Sequence, residues 1–445
     1  MFGEKHIQPP SQQNSNSRLI SVDALRGFDM FWIIGGDLVI RSLPKIHSSA
    51  LTRFLATQMD HCEWAGFHFY DLIFPLFVFI VGVSLVFSVS RMVERAGRPA
   101  AIKRIIVRSV ILFLLGIFYM GGVAAGVKNV YLAGVLHRIA VAYFFAALIF
   151  CFLGCSPSPS KERAGERLRA PGATKGCLPR FAEGQTTIPP LPGGEGRGEG
   201  ESRGYPRPLP TPSSEIRSEA MWQPRNGLYT MIALCFLLLV GYWALMTFVS
   251  VPGIGTPSLD QPGKNLAHYL DELYLPGQRF EGTLLSTMAA VANCLLGVFA
   301  GLLLKASKIS AQQKVYWLVG SGAASLLLGF AWSLQFPIIK LLWTSTYVLV
   351  ACGYGAILLG IFYQIIELWG FQKWARPFVW IGMNAITIYL VGNIANLHRL
   401  ALRFVGGDIK ILLGNYSDLA AALVGLALAL WLVNFLYRRN IFLRL

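Results

Sequence analysis

The sequence predicts an all-α, polytopic membrane protein with about ten transmembrane helices in one bundle. Three observations predict it. Of the 445 residues, 54% are hydrophobic and only 14% are charged, where a soluble domain carries about 25% charged residues. Mean hydropathy is +0.52. Apolar runs recur along the chain at 20–41, 67–90, 105–123, 132–154, 227–250, 284–304, 315–335, 344–366, 377–397 and 418–437, each close to the ~20 residues that a bilayer span needs.

The first run starts at Leu19, after a polar stretch, and holds Asp23, Arg26, Asp29 and Asp37. It lacks the compact apolar region and small-residue cleavage site of a signal peptide, so it reads as the first membrane helix. The second run follows a polar segment, Gln58-Met59-Asp60-His61-Cys62-Glu63-Trp64-Ala65-Gly66, and carries Asp71 near its start. A titratable histidine is thereby expected at a membrane surface, just ahead of a helix. Residues 156–220 interrupt the pattern with Pro, Gly, Ser and charge, a composition that cannot bury enough apolar surface to fold alone. They read as a disordered cytoplasmic insertion between an N-terminal half, 1–155, with about four spans, and a C-terminal half, 221–445, with about six. The two halves show no convincing repeat.

The net charge of +16 would suggest nucleic acid in a soluble protein. Here the excess lies in loops between spans and acts as an orientation signal. With ten spans both termini share a side. Leaving aside the stretch 156–226, sixteen Lys and Arg fall on that side against ten on the other, which favours cytoplasmic termini and puts His61 outside the cytoplasm. The seven cysteines form no CxxC pair, so neither a metal site nor a disulfide framework is expected.

Polar groups inside a membrane are costly unless paired, so each is a functional candidate. Asp37, Asp71, His137, Arg138, Ser286, Thr344, Asn393 and Asn396 all fall near the outer ends of their spans, at the level of His61. If the helices pack together, these residues can line one outward-facing cavity. Deeper or on the inner side lie Asp23, Arg26 and Asp29, spaced by three and able to pair among themselves. Asn384 is either interhelical glue or a ligand contact. Arg104 and Arg108 set topology or hold the phosphates of a nucleotide-bearing donor. An imidazole suits proton exchange or nucleophilic work near neutral pH, which makes His61 the leading reactive group, with Asp60 or Asp71 free to raise its basicity. Cys62 is a rival nucleophile, but nothing nearby activates it.

These residues also carry a resemblance. Ser21-Val22-Asp23-Ala24-Leu25-Arg26-Gly27-Phe28-Asp29-Met30 and His61-Cys62-Glu63-Trp64-Ala65-Gly66, leading into Asp71-Leu72-Ile73-Phe74-Pro75, stand first. Gly134-Val135-Leu136-His137-Arg138, Glu281-Gly282-Thr283, Leu342-Trp343-Thr344-Ser345-Thr346 and Gly382-Met383-Asn384-Ala385 follow in order. Together they resemble the membrane acyltransferases related to heparan-alpha-glucosaminide N-acetyltransferase. Ala65 stands where that family has Asn, and His137 where many relatives have Gln. The resemblance implies an acetyl-CoA-dependent acyltransferase that moves an acetyl group to an amine or hydroxyl of a sugar or glycan on the extracytoplasmic side. His61 would be the active histidine and Asp71 its orienting partner. Asp37, Trp64, His137, Ser286, Thr344, Asn393 and Asn396 would position the acceptor. Arg26, Arg104, Arg108, Arg138 and Asn384 would hold the donor. Expected partners are acetyl-CoA, a sugar or glycan and the lipid bilayer, with no metal and no nucleic acid. A homodimer is compatible with this organisation, and the expected location is a bacterial cytoplasmic (inner) membrane. The alternative is a glycan or lipid transporter or flippase without acyl-transfer chemistry, which multi-pass topology also fits.

Overall fold

The structure, a computed structural model, describes residues 19–122, 124, 126, 130–155, 225–253, 255, 257–260, 262–275 and 282–442. The segment 156–220, expected to be a disordered insertion, lies outside them. Helix α1 spans Ile20–Phe31. Its first turn is held by Glu367, whose carboxylate accepts from the Ser21 N–H at 3.2 Å and hydroxyl at 3.3 Å. A π-helical turn, Trp32–Gly36, follows, with Gly35 at φ 134°, a backbone conformation that glycine reaches without a steric cost. Next come α2 (Asp37–Ile46) and α3 (Ala50–Gln58). Helix α4 covers Phe69–Tyr119 and is broken at Gly97, φ 82° and ψ 171°. Unbroken, its 51 residues would extend about 77 Å, more than twice a hydrocarbon core of about 30 Å.

Helix α5 spans Val135–Ile149 and ends in a π-helical turn, Phe150–Gly154. The second half contributes α6 (Arg225–Phe248), α7 (Leu266–Tyr274), α8 (Thr283–Lys305) and α9 (Ala311–Trp332). It continues with α10 (Ser345–Tyr363), α11 (Arg376–Met383), α12 (Ala385–Ile394), α13 (Leu397–Val405), α14 (Asp408–Leu413) and α15 (Ser417–Arg438).

Among the described residues seven helices are long and apolar enough to cross a membrane, against the ten runs expected. The difference has three causes. The runs 67–90 and 105–123 lie in one helix, α4. The run 20–41 is split by the π-helical turn between α1 and α2. The run 377–397 is split at Asn384, whose φ of −118° and ψ of 24° separate α11 from α12.

Small residues let these helices approach closely, as expected where lipid offers no hydrophobic drive between them. Gly82 of α4 faces Gly297 of α8, and a Cβ on either would collide with a carbonyl of the other helix. Gly27 of α1 and Gly382 of α11 face each other in the same way. Gly301, Gly322 and Gly329 also stand at helix contacts, whereas Gly320 faces open space. Phe236 and Leu237 of α6 and Leu327 and Leu328 of α9 are exposed, as a lipid-facing surface requires. The triplet Asp23, Arg26 and Asp29 pairs only in part. Arg26 reaches Asp23 at 3.0 Å, Ser84 at 2.5 Å and the Gly382 carbonyl at 3.5 Å. Asp29 is fully buried, and its carboxyl oxygens have no hydrogen-bond partner among the described residues.

Candidate active site

The loop between α3 and α4 is pinned before it is reactive. Its Trp64 indole N–H donates to the Leu259 carbonyl at 2.6 Å. The Gly66 N–H donates to the Ile338 carbonyl at 2.9 Å, and Ala65 pairs with Ile339 in a single β-bridge. The segment 336–344 that receives the loop is itself anchored. Phe336, Ile339 and Trp343 are buried, and the Tyr242 hydroxyl donates to the Leu342 carbonyl at 2.5 Å. These contacts bring two stretches of chain, far apart in sequence, to one spot.

Asp71 sits in the first turn of α4, where a carboxylate meets unpaired backbone N–H groups and the positive end of the helix dipole. One oxygen, Oδ2, accepts from the His68 N–H at 3.0 Å and the Cys62 N–H at 3.3 Å. The other, Oδ1, lies 2.8 Å from His61 Nδ1. The Asp71 side chain is 1% exposed and that of His61 is 50% exposed. A carboxylate can only accept, so Nδ1 carries the proton, and in the neutral ring Nε2 keeps its lone pair. A buried acid thus fixes the tautomer and the ring plane of a half-exposed base. Burial and the Asp71 carboxylate push the Cys62 thiol up to about 11, so Cys62 is no nucleophile near neutral pH.

Lys340 completes the group. Its Nζ is 2.8 Å from His61 Nδ1, 2.9 Å from His61 Nε2 and 3.4 Å from Asp71 Oδ1. In the sequence it is one of the ten loop charges on the side opposite the termini.

His61 and Lys340 border a cavity of about 440 Å³. Its wall is largely apolar and aromatic, with Tyr70, Phe74 and Phe77 from α4, Tyr119 from the far end of α4, Trp343, and Tyr389 from α12. Among the described residues lining it, the only other charged one is Arg138, whose guanidinium stacks on the Trp343 ring at 4.7 Å. No Asp or Glu is among the described lining residues. From Tyr70 to Phe77 the cavity follows α4 for about 10 Å, roughly a third of a bilayer core.

Of the residues expected at the site, His61 and Arg138 border this cavity and Asp71 stands behind His61. The others go elsewhere, each for a local reason. His137 packs against Gly116 and the Phe113 ring, is 2% exposed and is not among the residues lining the cavity. Thr344 caps α10 by accepting from the Tyr347 N–H, and also from the Ile339 N–H at 3.0 Å. Ser286 donates back to the Thr283 carbonyl one turn earlier. Asn396 is the cap of α13 and accepts from the Arg399 N–H. Asp37 pairs with Arg41 at 3.6 Å, and Arg41 also holds Asp60 at 2.8 Å. Trp64 anchors the loop. Arg26 binds α1 to α4 and α11. Arg104 is exposed, and Arg108 lies over the Tyr143 ring at 4.6 Å. Asn384 donates to the Trp380 carbonyl at 3.4 Å, next to the cavity-lining Ala385. The Asn393 side chain lies outside the described residues.

Cys62, His68 and Asp71 place possible metal-ligating atoms within 4.8 Å of one another. Both Asp71 oxygens already accept from N–H donors, so a metal here would compete with the hydrogen bonds that hold the loop and His61.

Comparison with known proteins bears on the same loop. Residues 18–156 match the family model described as heparan-alpha-glucosaminide N-acetyltransferase, catalytic. The chain is 25% identical over 423 residues to a mouse protein of the name heparan-alpha-glucosaminide N-acetyltransferase, covering 86% of this chain and 54% of that protein. It is 26% identical over 429 residues to the human protein of the same name, covering 86% and 55%. The chain therefore spans about half the length of the curated relatives it matches. His61, Asp71 and Arg138 fall inside the matched family region; Lys340 falls outside it.

Proposed function

We propose, on the premise that this chain belongs to the heparan-alpha-glucosaminide N-acetyltransferase-like family, that it is a membrane acetyltransferase using acetyl-CoA to acetylate an amine or hydroxyl of a sugar or glycan outside the cytoplasm. The observation that carries this reading is the His61–Asp71 pair. It orients an imidazole at the edge of a cavity, and in the neutral ring it directs the proton to Nδ1 and the lone pair to Nε2. Such a nitrogen takes the proton from an attacking amine or hydroxyl, or bonds the acetyl carbon and carries it. The aromatic wall suits the flat faces of a sugar and the apolar arm of the donor.

The orientation proposed is that read from the loop charges, with ten spans, both termini cytoplasmic, and residues 156–220 on the cytoplasmic side of a bacterial inner membrane. Arg104 and Arg108 lie about 22 and 16 Å along the returning half of α4 from Tyr119 at the cavity. In this reading they meet the donor's phosphates at the inner face while its acetyl end extends toward His61. A flippase would need no histidine fixed by a buried acid, and this pair favours the enzyme over it.

The test is transfer of label from radiolabelled acetyl-CoA to a panel of amino sugars and cell-surface glycans by the full chain in detergent micelles. The wild-type chain is expected to label at least one acceptor, and His61→Ala to abolish transfer without lowering the melting temperature. Near-wild-type turnover in His61→Ala would remove the assignment.

A further inference from the structure

We propose that Lys340 is a catalytic residue of this site, whose ammonium takes up the negative charge that develops on the acetyl carbonyl oxygen. The proposal rests on the acetyl-transfer reading above and adds to it a residue outside the matched family region.

The geometry of three atoms carries it. Lys340 Nζ is nearly equidistant from the two ring nitrogens of His61, at 2.8 and 2.9 Å. A donor aimed at the Nε2 lone pair would be close to Nε2 and far from Nδ1. An equidistant position in the ring plane would collide with Cε1 on one side, or with the bond opposite it on the other. The ammonium therefore lies over a face of the ring. The in-plane lone pair of Nε2 stays open. The Asp71 carboxylate, 3.4 Å from Nζ, balances the cation.

That placement suits a tetrahedral carbon. When Nε2 attacks the thioester carbonyl, the new bond lies in the ring plane and the other substituents project from it. The C=O electron pair moves onto oxygen. An oxygen on a carbon bonded to Nε2 sits only about 2.3 Å from that nitrogen, so on the lysine's side of the ring it falls within hydrogen-bond reach of Nζ. The oxyanion then reforms the carbonyl, the C–S bond breaks and the thiolate leaves. Attack by the acceptor amine on the same carbon raises a second oxyanion against the same ammonium. Its collapse returns the electron pair to Nε2, and the amine's proton passes to the thiolate. Lys340 stays protonated throughout. On the direct route, where Nε2 takes the amine proton as the amine attacks, one oxyanion forms and the flexible lysine chain reaches it from the same face.

The remaining charged and titratable groups around His61 leave this role to Lys340. Asp60 is paired with Arg41, Cys62 is a protonated thiol and Tyr70 packs against the His61 ring at 4.9 Å. Arg138 is stacked on Trp343. The Lys340 backbone is held by its anchored segment, so the cation is preorganised rather than recruited from solvent.

The experiment compares wild type, His61→Ala, Lys340→Met, Lys340→Arg and Lys340→Ala as full chains in micelles. It uses radiolabelled acetyl-CoA with the same panel of amino sugars and cell-surface glycans, and reads kcat and KM separately, beside the melting temperature, for an acceptor that wild type labels. Lys340→Met is expected to lose about 10²–10³-fold in kcat, with KM and melting temperature little changed. Lys340→Arg should recover part of that loss, and added ethylamine should restore turnover to Lys340→Ala in proportion to its concentration. If wild type transfers, His61→Ala does not, and Lys340→Met stays within tenfold of wild type, the lysine assignment fails and the acetyltransferase reading stands. If wild type transfers nothing, both fail. If Lys340→Met melts early, the amine decides. Rescue at unchanged melting temperature supports the assignment, and turnover that only tracks the folded fraction overturns it.

Discussion

Replacing Asp71 by Asn changes one atom and reverses the logic of the site. The side-chain oxygen of the amide can go on accepting from the His68 and Cys62 N–H groups, which the acid now receives at 3.0 and 3.3 Å. Its NH₂ then faces His61 Nδ1, where the carboxylate sits at 2.8 Å. The ring must either move its proton to Nε2, which removes the reactive lone pair, or keep it on Nδ1 against another donor. Holding the competent tautomer forgoes one charge-assisted hydrogen bond, about 1.5–3 kcal/mol. A similar amount goes when His61 turns cationic during transfer with no carboxylate beside it. Together they come to about 3–6 kcal/mol, or about 10²–10⁴-fold in rate at about 1.4 kcal/mol per tenfold. Stability should fall by only about 1–2 kcal/mol, since both backbone donors keep an acceptor. Steady-state transfer from labelled acetyl-CoA, read beside thermal unfolding, separates the two effects. An Asp71→Asn chain that folds and turns over within tenfold of wild type would refute this account of the His61 tautomer.

Two further outcomes follow from the same loop and its receiving segment. With its pKa raised to about 11, the Cys62 thiol should react with iodoacetamide slowly at neutral pH and about tenfold faster per pH unit until that value; Cys62→Ser should retain transfer, and loss of transfer there would revive the thiol as nucleophile. Thr344→Ala removes the cap of α10 and should cost about 1 kcal/mol of stability with kcat unchanged, measured by thermal melting beside turnover; a selective fall in kcat would return Thr344 to the acceptor site.

How far the fold is legible in the sequence depends on which signal each element gives. The apolar runs announce themselves by composition, and each corresponds to helix in the structure. Their continuity is not announced. The break at Gly97 has a residue-level cue, a glycine two positions ahead of Pro99. The π-helical turn at Trp32–Gly36 has a weaker one, since paired glycines within a membrane run also serve close packing. The break at Asn384 follows Gly382, a residue needed for contact with α1, so the same letters carry two instructions and only the packed bundle separates them.

The site divides along a similar line. His61 and Asp71 are ten residues apart, and a polar segment feeding a helix with an acid in its first turn is a local pattern that a sequence displays. The expected outer ring of Ser286, Thr344 and Asn396 was drawn from depth alone. Depth does not say whether a hydroxyl or amide faces the cavity or turns back to its own backbone, and at a helix start the backbone N–H groups compete for it. All three went to the backbone. Lys340 shows the opposite failure. Nothing local distinguishes it from a loop lysine that sets topology. Its significance arises only when the Gly66 N–H meets the Ile338 carbonyl, a contact spanning most of the chain. A side chain whose role depends on one long-range pairing leaves no mark in its own neighbourhood, so a search for such residues belongs on the segments that buried loops dock against.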